Sequence, residues 1–110
     1  MDVAYGVESR KQAIRILDNQ KLTLITQYDE LTQDATEHRL VLDAINQLPK
    51  DRRCFRVVGG VAIETTVDNV KPQLEMEAGK IKDLQKVVEK QLETINQQLL
   101  KVKGEEIPKN

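Results

Sequence analysis

Apolar residues recur with a seven-residue period along two long stretches of the chain. In the first stretch the spacing alternates between three and four residues, and only Lys21 and His38 interrupt the apolar set. The apolar members are Ile14, Leu17, Leu24, Tyr28, Leu31, Ala35, Leu42 and Ile45. A heptad pattern sustained over four repeats predicts a coiled-coil helix. We place this helix at about residues 7–48, because Pro49 disfavours the helical conformation in the residue before it.

The second stretch repeats the pattern with one irregularity. Its main row is Val67, Leu74, Ile81, Val88, Ile95 and Val102, and its companions are Val70 and Leu84 early and Leu92 and Leu99 late. The steps from Leu84 to Val88 and on to Leu92 are both four residues, which predicts a stutter that relaxes the supercoil locally. We predict a helix over about residues 67–103, capped at its start by Thr66 or Asp68, and a tail over 104–110.

The segment between the two helices has a different period. Two runs rich in β-branched residues, within residues 53–66, flank the pair Gly59-Gly60. Strand-like runs around a two-residue glycine loop predict a tight hairpin, because primed turns need a positive φ that glycine adopts freely. The whole chain, residues 1–110, is therefore predicted to be one domain of the mainly α class, an antiparallel two-helix coiled coil interrupted by one hairpin.

A single antiparallel register joins the two apolar seams. It pairs Ile45 with Val70, Leu42 with Leu74, Leu31 with Leu84, Tyr28 with Val88, Leu17 with Leu99 and Ile14 with Val102. The same register places His38 opposite Glu77, and we predict a polar layer there that fixes the register. One histidine and one carboxylate are too few ligands for a metal site.

The hairpin is predicted to carry apolar residues on both faces. One face holds Cys54, Arg56, Val58, Val61, Ile63 and Thr65, and the other holds Phe55, Val57, Ala62 and Glu64. Two isolated strands are marginally stable in water, and uncovered strands invite association. Either the hairpin folds back on its own helices or it assembles with equivalent hairpins, and we favour assembly. The predicted oligomerisation residues are Phe55, Val57, Val58, Gly59, Gly60, Val61, Ala62 and Ile63.

Composition removes several classes of function. Charged residues make up 32% of the chain and aromatic residues 3%, with a formal net charge of −1, which suits solvated helices and offers no basic field for nucleic acid. The sole cysteine, Cys54, excludes an internal disulfide and fits a reducing cytosol or nucleus. No apolar run reaches the roughly 20 residues of a membrane span, and no signal peptide is expected. No catalytic constellation, cofactor motif or metal site is expected.

Two motifs resemble the prefoldin family. The stretches Glu37–Leu42 and Asp51–Val61, the latter reading DRRCFRVVGGV, are similar to the centre of β-type prefoldin subunits of the subunit 2 kind. Thr65–Val67 and Pro72–Glu75 continue the resemblance, which covers about residues 25–100. Phe55 departs from the pattern, since relatives often have tyrosine at this position. Phenylalanine lacks the tyrosine hydroxyl, so any hydrogen bond made by that hydroxyl is lost here.

The resemblance implies a fold, a set of partners and a function. Prefoldin is a heterohexamer of two α-type and four β-type subunits whose hairpins join into a β-barrel platform, with the coiled coils extending from it. It is a cytosolic, ATP-independent chaperone that holds unfolded proteins such as actin and tubulin and passes them to the cytosolic chaperonin. The helix ends far from the hairpin are then the expected client-binding region, with apolar residues off the seam at Tyr5, Val7, Ile16, Leu22, Ile25, Leu100 and Ile107.

A structural coiled-coil scaffold is the alternative. It explains the heptads, but it gives no reason for a hairpin with two apolar faces. Joining an α-type partner and delaying the aggregation of an unfolded client would distinguish the chaperone subunit from the scaffold.

Overall fold

The computed structural model of the chain has two long helices, with a β-hairpin between them in chain order. The structure describes the backbone of residues 3–106 and the side chains of residues 8–104. The elements in chain order are α1 (Val3–Ile45), β1 (Arg53–Val58), β2 (Val61–Thr66) and α2 (Val67–Glu106). The two strands are antiparallel neighbours. The predicted order of helix, hairpin and helix is therefore confirmed.

The chain divides into two compact units. The hairpin unit contains residues 31–84, which are the hairpin with the adjoining parts of both helices. The two-helix unit contains the residues up to Glu30 together with those from Gln85 onward. That residues 1–110 behave as one domain stays a prediction.

The heptad seam predicted for α1 is visible in its pattern of burial. All ten predicted seam positions are half-buried, and the polar members Lys21 and His38 are half-buried with the apolar ones. Most residues between them are exposed. The seam therefore alternates steps of three and four residues from Ile14 to Ile45 without a break, as in a coiled coil.

The seam of α2 differs from the prediction at one position. Buried or half-buried side chains recur along the helix, and Val88, Ile95 and Leu99 are among the most buried. Leu84 is wrong as a seam residue, because 53% of it is exposed, and Gln85 is half-buried in its place. Gln85 continues the regular spacing of the later seam residues Val88, Leu92 and Ile95 toward the start of α2. The two successive four-residue steps of the stutter therefore lie before Gln85.

The helix ends also differ from the predicted bounds. α1 ends at Ile45 instead of 48, because the Leu48 amide donates to the Ile45 carbonyl at 3.0 Å, a three-residue bond that tightens the turn before Pro49. α1 begins at Val3, and α2 continues through Gly104 to Glu106. A single glycine lowers helix stability by only about 1 kcal/mol, so it did not end the helix.

The start of α2 is attached to the segment that precedes the hairpin. The amide of Val67 donates to the Arg52 carbonyl at 3.0 Å, and the amide of Asp68 donates to the Lys50 carbonyl at 2.9 Å. Thr66 acts as the predicted cap, since its Oγ1 accepts from the amide of Asn69 at 3.4 Å. These bonds satisfy three of the amides that a helix N-terminus leaves unpaired. The base of the hairpin is thereby fixed against the first turn of α2.

Candidate functional site

The hairpin turn is built by Gly59 and Gly60. Their φ angles are +56° and +80°, the signs that a two-residue primed turn requires. The pairing runs from Val58 opposite Val61 to Arg53 opposite Thr66. The predicted register is therefore confirmed, and so is the division of side chains between the two faces.

The outer face of the hairpin consists of Phe55, Val57 and Ala62, with Arg53 and Glu64 beside them. Phe55 is 67% exposed and Val57 is 72% exposed. Arg53 Nη1 and Glu64 Oε1 lie 3.1 Å apart on this face, and both are exposed, so their ion pair adds little stability. The outer face is an apolar strip with one polar end, and nothing in the described part of the chain covers it.

The inner face carries Cys54, Arg56 and Thr65 near the helices and Val58, Val61 and Ile63 near the turn. The first three are half-buried, and Cys54 is a free thiol. The other three are 49–61% exposed. The predicted alternative, folding back on the chain's own helices, is therefore realised only at the helix-proximal half. Apolar residues near the turn stay exposed on both faces.

Arg56 ties the inner face to α2. Its Nη1 donates to Gln73 Oε1 at 2.7 Å, and its Nη2 donates to the carboxylate of Glu77. The sequence alternation places Arg56 on the inner face, but it does not reveal this bond. A helix patterned by heptads presents many polar side chains, and only the docking of the hairpin selects Gln73 and Glu77.

Glu77 also binds His38, as the register predicts. The Nε2 of His38 donates to Glu77 Oε2 at 3.0 Å, and its Nδ1 donates to the carbonyl of Asp34 at 2.9 Å. Because neither acceptor has a proton to give, both bonds form together only when the ring carries a proton on each nitrogen. The bond to Glu77 and then the bond to Asp34 raise the pKa of His38. The bonds from His38 and Arg56 lower the pKa of Glu77.

The predicted client-binding residues whose side chains are described all lie in the two-helix unit. Of those with described side chains, Ile16 is 50% exposed, Leu22 63%, Ile25 39% and Leu100 74%. Only Ile16 lines a groove, which it shares with Leu17 and Val102 among others. The side chains of Tyr5, Val7 and Ile107 lie outside the described residues.

Sequence reasoning missed further exposed apolar residues outside the seam. They are Leu40, Val41, Met76 and Val87, with exposures of 46–58%. Their exposure was predictable from the sequence, because each of the four lies outside the heptad positions that form the seam. Tyr28 was predicted as a purely apolar seam residue, yet its hydroxyl donates to Glu89 Oε1 at 2.8 Å, and that bond raises its pKa.

The described residues contain neither a candidate membrane span nor a candidate metal site. No helix within residues 3–106 combines the length and apolar character needed to cross a membrane. In the same part of the chain, histidine, cysteine and carboxylate side chains nowhere gather in a group of three or more that could hold a metal ion.

Comparison with curated proteins finds relatives over most of the chain. A protein described as probable prefoldin subunit 2 of Dictyostelium discoideum is 38% identical over 76 residues, which are 69% of this chain and 66% of the relative. Prefoldin subunit 2 of Rattus norvegicus is 37% identical over 105 residues, which are 93% of this chain and 63% of the relative. The chain thus spans slightly less than two thirds of the length of these relatives.

A solved structure and a family profile agree with these relatives. The crystal structure of the prefoldin beta subunit from Thermococcus strain KS-1 superposes with a TM-score of 0.84 and 21% identity, covering 91% of this chain and 88% of that one. This likeness shows the fold, two long helices with an antiparallel hairpin between them. The profile described as prefoldin subunit matches residues 12–107. With this profile spanning nearly all of its length, the chain belongs to the prefoldin subunit family.

Proposed function

We propose that the chain is a β-type subunit of a hetero-oligomeric, ATP-independent chaperone that holds unfolded proteins. Its hairpin joins α-type and other β-type subunits in the platform. Its helix ends bind clients such as actin and tubulin in the cytosol before their transfer to the cytosolic chaperonin. Holding a client requires a binding surface and no covalent step, so the proposal assigns no catalytic residue.

The exposed hairpin is the observation that carries the assembly half of the proposal. Phe55 and Val57 on the outer face, with Val58, Val61 and Ile63 on the inner face, are each about half exposed or more. Apolar residues gathered on one small element mark an interaction surface, and a two-stranded sheet is only marginally stable in water by itself. Equivalent hairpins of other subunits supply both a cover for the faces and partners for the strands.

Assembly is tested with the variant Val57→Asp/Ile63→Asp, which places one charge on each face of the hairpin. Leu84→Asp/Val87→Asp is the matched control, since those side chains are exposed to a similar degree on α2, outside the hairpin. We expect the hairpin variant to keep its helical circular dichroism and to stop co-eluting with an α-type partner in size-exclusion chromatography. The control should co-elute. An intact hetero-oligomer of the hairpin variant would refute the assignment of the joint.

Client binding is tested with Ile16→Gln/Leu100→Gln. Glutamine keeps the helix propensity and removes the exposed apolar groups. We expect weaker suppression of client aggregation while the hetero-oligomer persists, and no change for the control Leu84→Gln/Val87→Gln. Normal suppression by the first variant would refute the helix-end assignment. A chain that assembles with its partners but never delays aggregation would instead be a structural scaffold.

A further inference from the structure

One side of the two-helix unit carries two grooves that meet. The larger groove has a volume of about 690 Å³ and is lined by residues of both α1 and α2. The smaller groove, of about 470 Å³, contains Ile16, Leu17 and Val102 in its lining. Gln20 and Gln98 line both grooves. The two therefore form one continuous track along the helix pair, with an apolar end at Ile16.

The lining of the larger groove is almost free of charge. Charged residues make up 32% of the chain, but Lys90 is the one charged side chain among the residues that line this groove. Four of the lining residues are glutamines: Gln20 and Gln27 on α1, and Gln91 and Gln98 on α2. The two glutamines of each helix are one heptad apart, so they repeat on the same face of that helix.

The glutamine amides are the groups that the groove offers to a ligand. The hydroxyls of Thr23 and Thr94 donate to carbonyls of their own helices at 3.1 Å. Within the described part of the chain, no hydrogen bond engages the side chains of the four glutamines. Beneath them lie the half-buried Leu24 and the buried Ile95. Each glutamine amide supplies two N–H donors and a carbonyl acceptor, and the apolar side chains of Leu24 and Ile95 form the base of the groove.

We propose that this track, hereafter the glutamine groove, binds the main chain of an extended segment of non-native polypeptide. The inference rests on the proposed function and deepens it. A peptide group is an uncharged donor and acceptor, so it is complementary to an uncharged amide lining, and every client segment presents such groups whatever its side chains. An apolar side chain of the same segment lies in the smaller groove against Ile16.

The spacing of the glutamines suits an extended chain. One heptad of helix advances about 10.5 Å at 1.5 Å per residue. Three residues of extended chain advance about 10 Å at roughly 3.3 Å per residue. Successive glutamines on one helix therefore meet peptide groups three residues apart. A folded client pairs its own main-chain groups, so the groove selects for the unfolded state.

The test is nuclear magnetic resonance of the full chain, isotope-labelled in the glutamine side-chain amides and in the isoleucine and leucine methyl groups. The probe is reduced, carboxymethylated lactalbumin, a permanently unfolded protein. We expect its addition to shift the amide signals of Gln20, Gln27, Gln91 and Gln98. The signals of Gln33 and Gln97, which are exposed and outside both grooves, should stay in place.

A quadruple variant measures the contribution of the groove. Replacing the four groove glutamines by alanine preserves or raises helicity and makes the lining more apolar. We expect binding of the probe to weaken by about tenfold, equivalent to the loss of roughly one net hydrogen bond. The matched control replaces Gln12, Gln33, Gln47 and Gln97 by alanine and should bind the probe as the unmodified chain does.

The possible failures are distinguishable. Unchanged or tighter binding by the groove variant, or shifts confined to the methyl groups of Ile16 and Leu100, would overturn the glutamine groove and leave the proposed function standing. Amide shifts that grow with chain concentration in the absence of probe would assign the groove to a second copy and also overturn it. If the unmodified chain, alone and in its hetero-oligomer, binds no probe, the proposed function itself fails.

Discussion

Replacing Glu77 by glutamine should loosen the hairpin unit more than any other single charge removal on α2. Its carboxylate accepts from His38 on α1 and from Arg56 on β1. Hydrogen bonds to charged groups contribute about 1.5–3 kcal/mol when buried. The His38 side chain is 22% exposed and that of Glu77 is 36% exposed, so solvent screening reduces each contact to roughly 0.5–1 kcal/mol. We expect Glu77→Gln to lose about 1–2 kcal/mol of stability at about pH 6.

The loss should depend on pH in a defined direction. The pKa of His38 is raised from 6.5, so its stabilising contribution is complete below pH 6.5 and disappears as the pH rises through the folded value. The pKa of Glu77 is lowered from 4.5, so its contribution is complete above pH 4.5 and disappears as the pH falls through the folded value. The difference between the unmodified chain and Glu77→Gln is therefore largest between pH 4.5 and 6.5. Toward about pH 9 it should fall to roughly 0.5–1 kcal/mol, the part supplied by Arg56.

Urea unfolding followed by far-ultraviolet circular dichroism measures this difference across the pH range. Glu75→Gln is the matched control, because Glu75 is exposed and lies two residues away on the same helix. His38 is the sole histidine of the chain, so subtracting the variant from the unmodified chain isolates its titration. The reasoning is refuted if Glu77→Gln and Glu75→Gln lose equal stability, or if the Glu77→Gln difference stays constant from about pH 6 to pH 9.

Three further predictions concern stability. Leu99→Ala should lose about 2–4 kcal/mol in urea unfolding and Leu84→Ala less than about 1, because Leu99 is 5% exposed and Leu84 53%; equal losses would restore the predicted seam. Gly60→Val should weaken the hairpin, since its φ is +80°, whereas Gly59→Asn, at +56°, should be tolerated; co-elution with an α-type partner reports the difference. Pro72→Ala should raise the thermal midpoint, because Pro72 lies inside α2 and lacks an amide for its helix bond; an unchanged or lower midpoint would show that the helix start already accommodates the proline.

Local spacing was enough to predict α1 and the hairpin. The seam of α1 follows from an unbroken alternation of three-residue and four-residue steps. The turn follows from Gly59-Gly60, because it needs two successive residues with positive φ and few residues other than glycine adopt a positive φ. The seam of α2 failed at one position because two signals disagreed. Hydrophobicity favoured Leu84 as the seam residue, and regular spacing favoured Gln85. The spacing decided the outcome, because the helical period fixes which positions lie on the same face.

Contacts between elements were less accessible to sequence reasoning. The His38–Glu77 pair was predictable, because an antiparallel register fixes which positions face each other. The bond from Arg56 to Glu77 depends on how the hairpin tilts against α2, which no periodicity records. The glutamine groove was missed for a related reason. Gln20 and Gln98 look like ordinary solvated positions until both helices are placed side by side.

The two-stranded sheet has a consequence for how the subunit is supplied. Each strand has a single neighbour, so every second residue turns its amide and carbonyl outward with no mate. A copy made in excess of its partner subunits would expose two such rows of unpaired backbone groups. Pairing with the strand edges of other surplus copies would satisfy them and lead to aggregation. In the proposed assembly, this chain therefore has to be produced in step with its partner subunits, or be degraded when it is left without them.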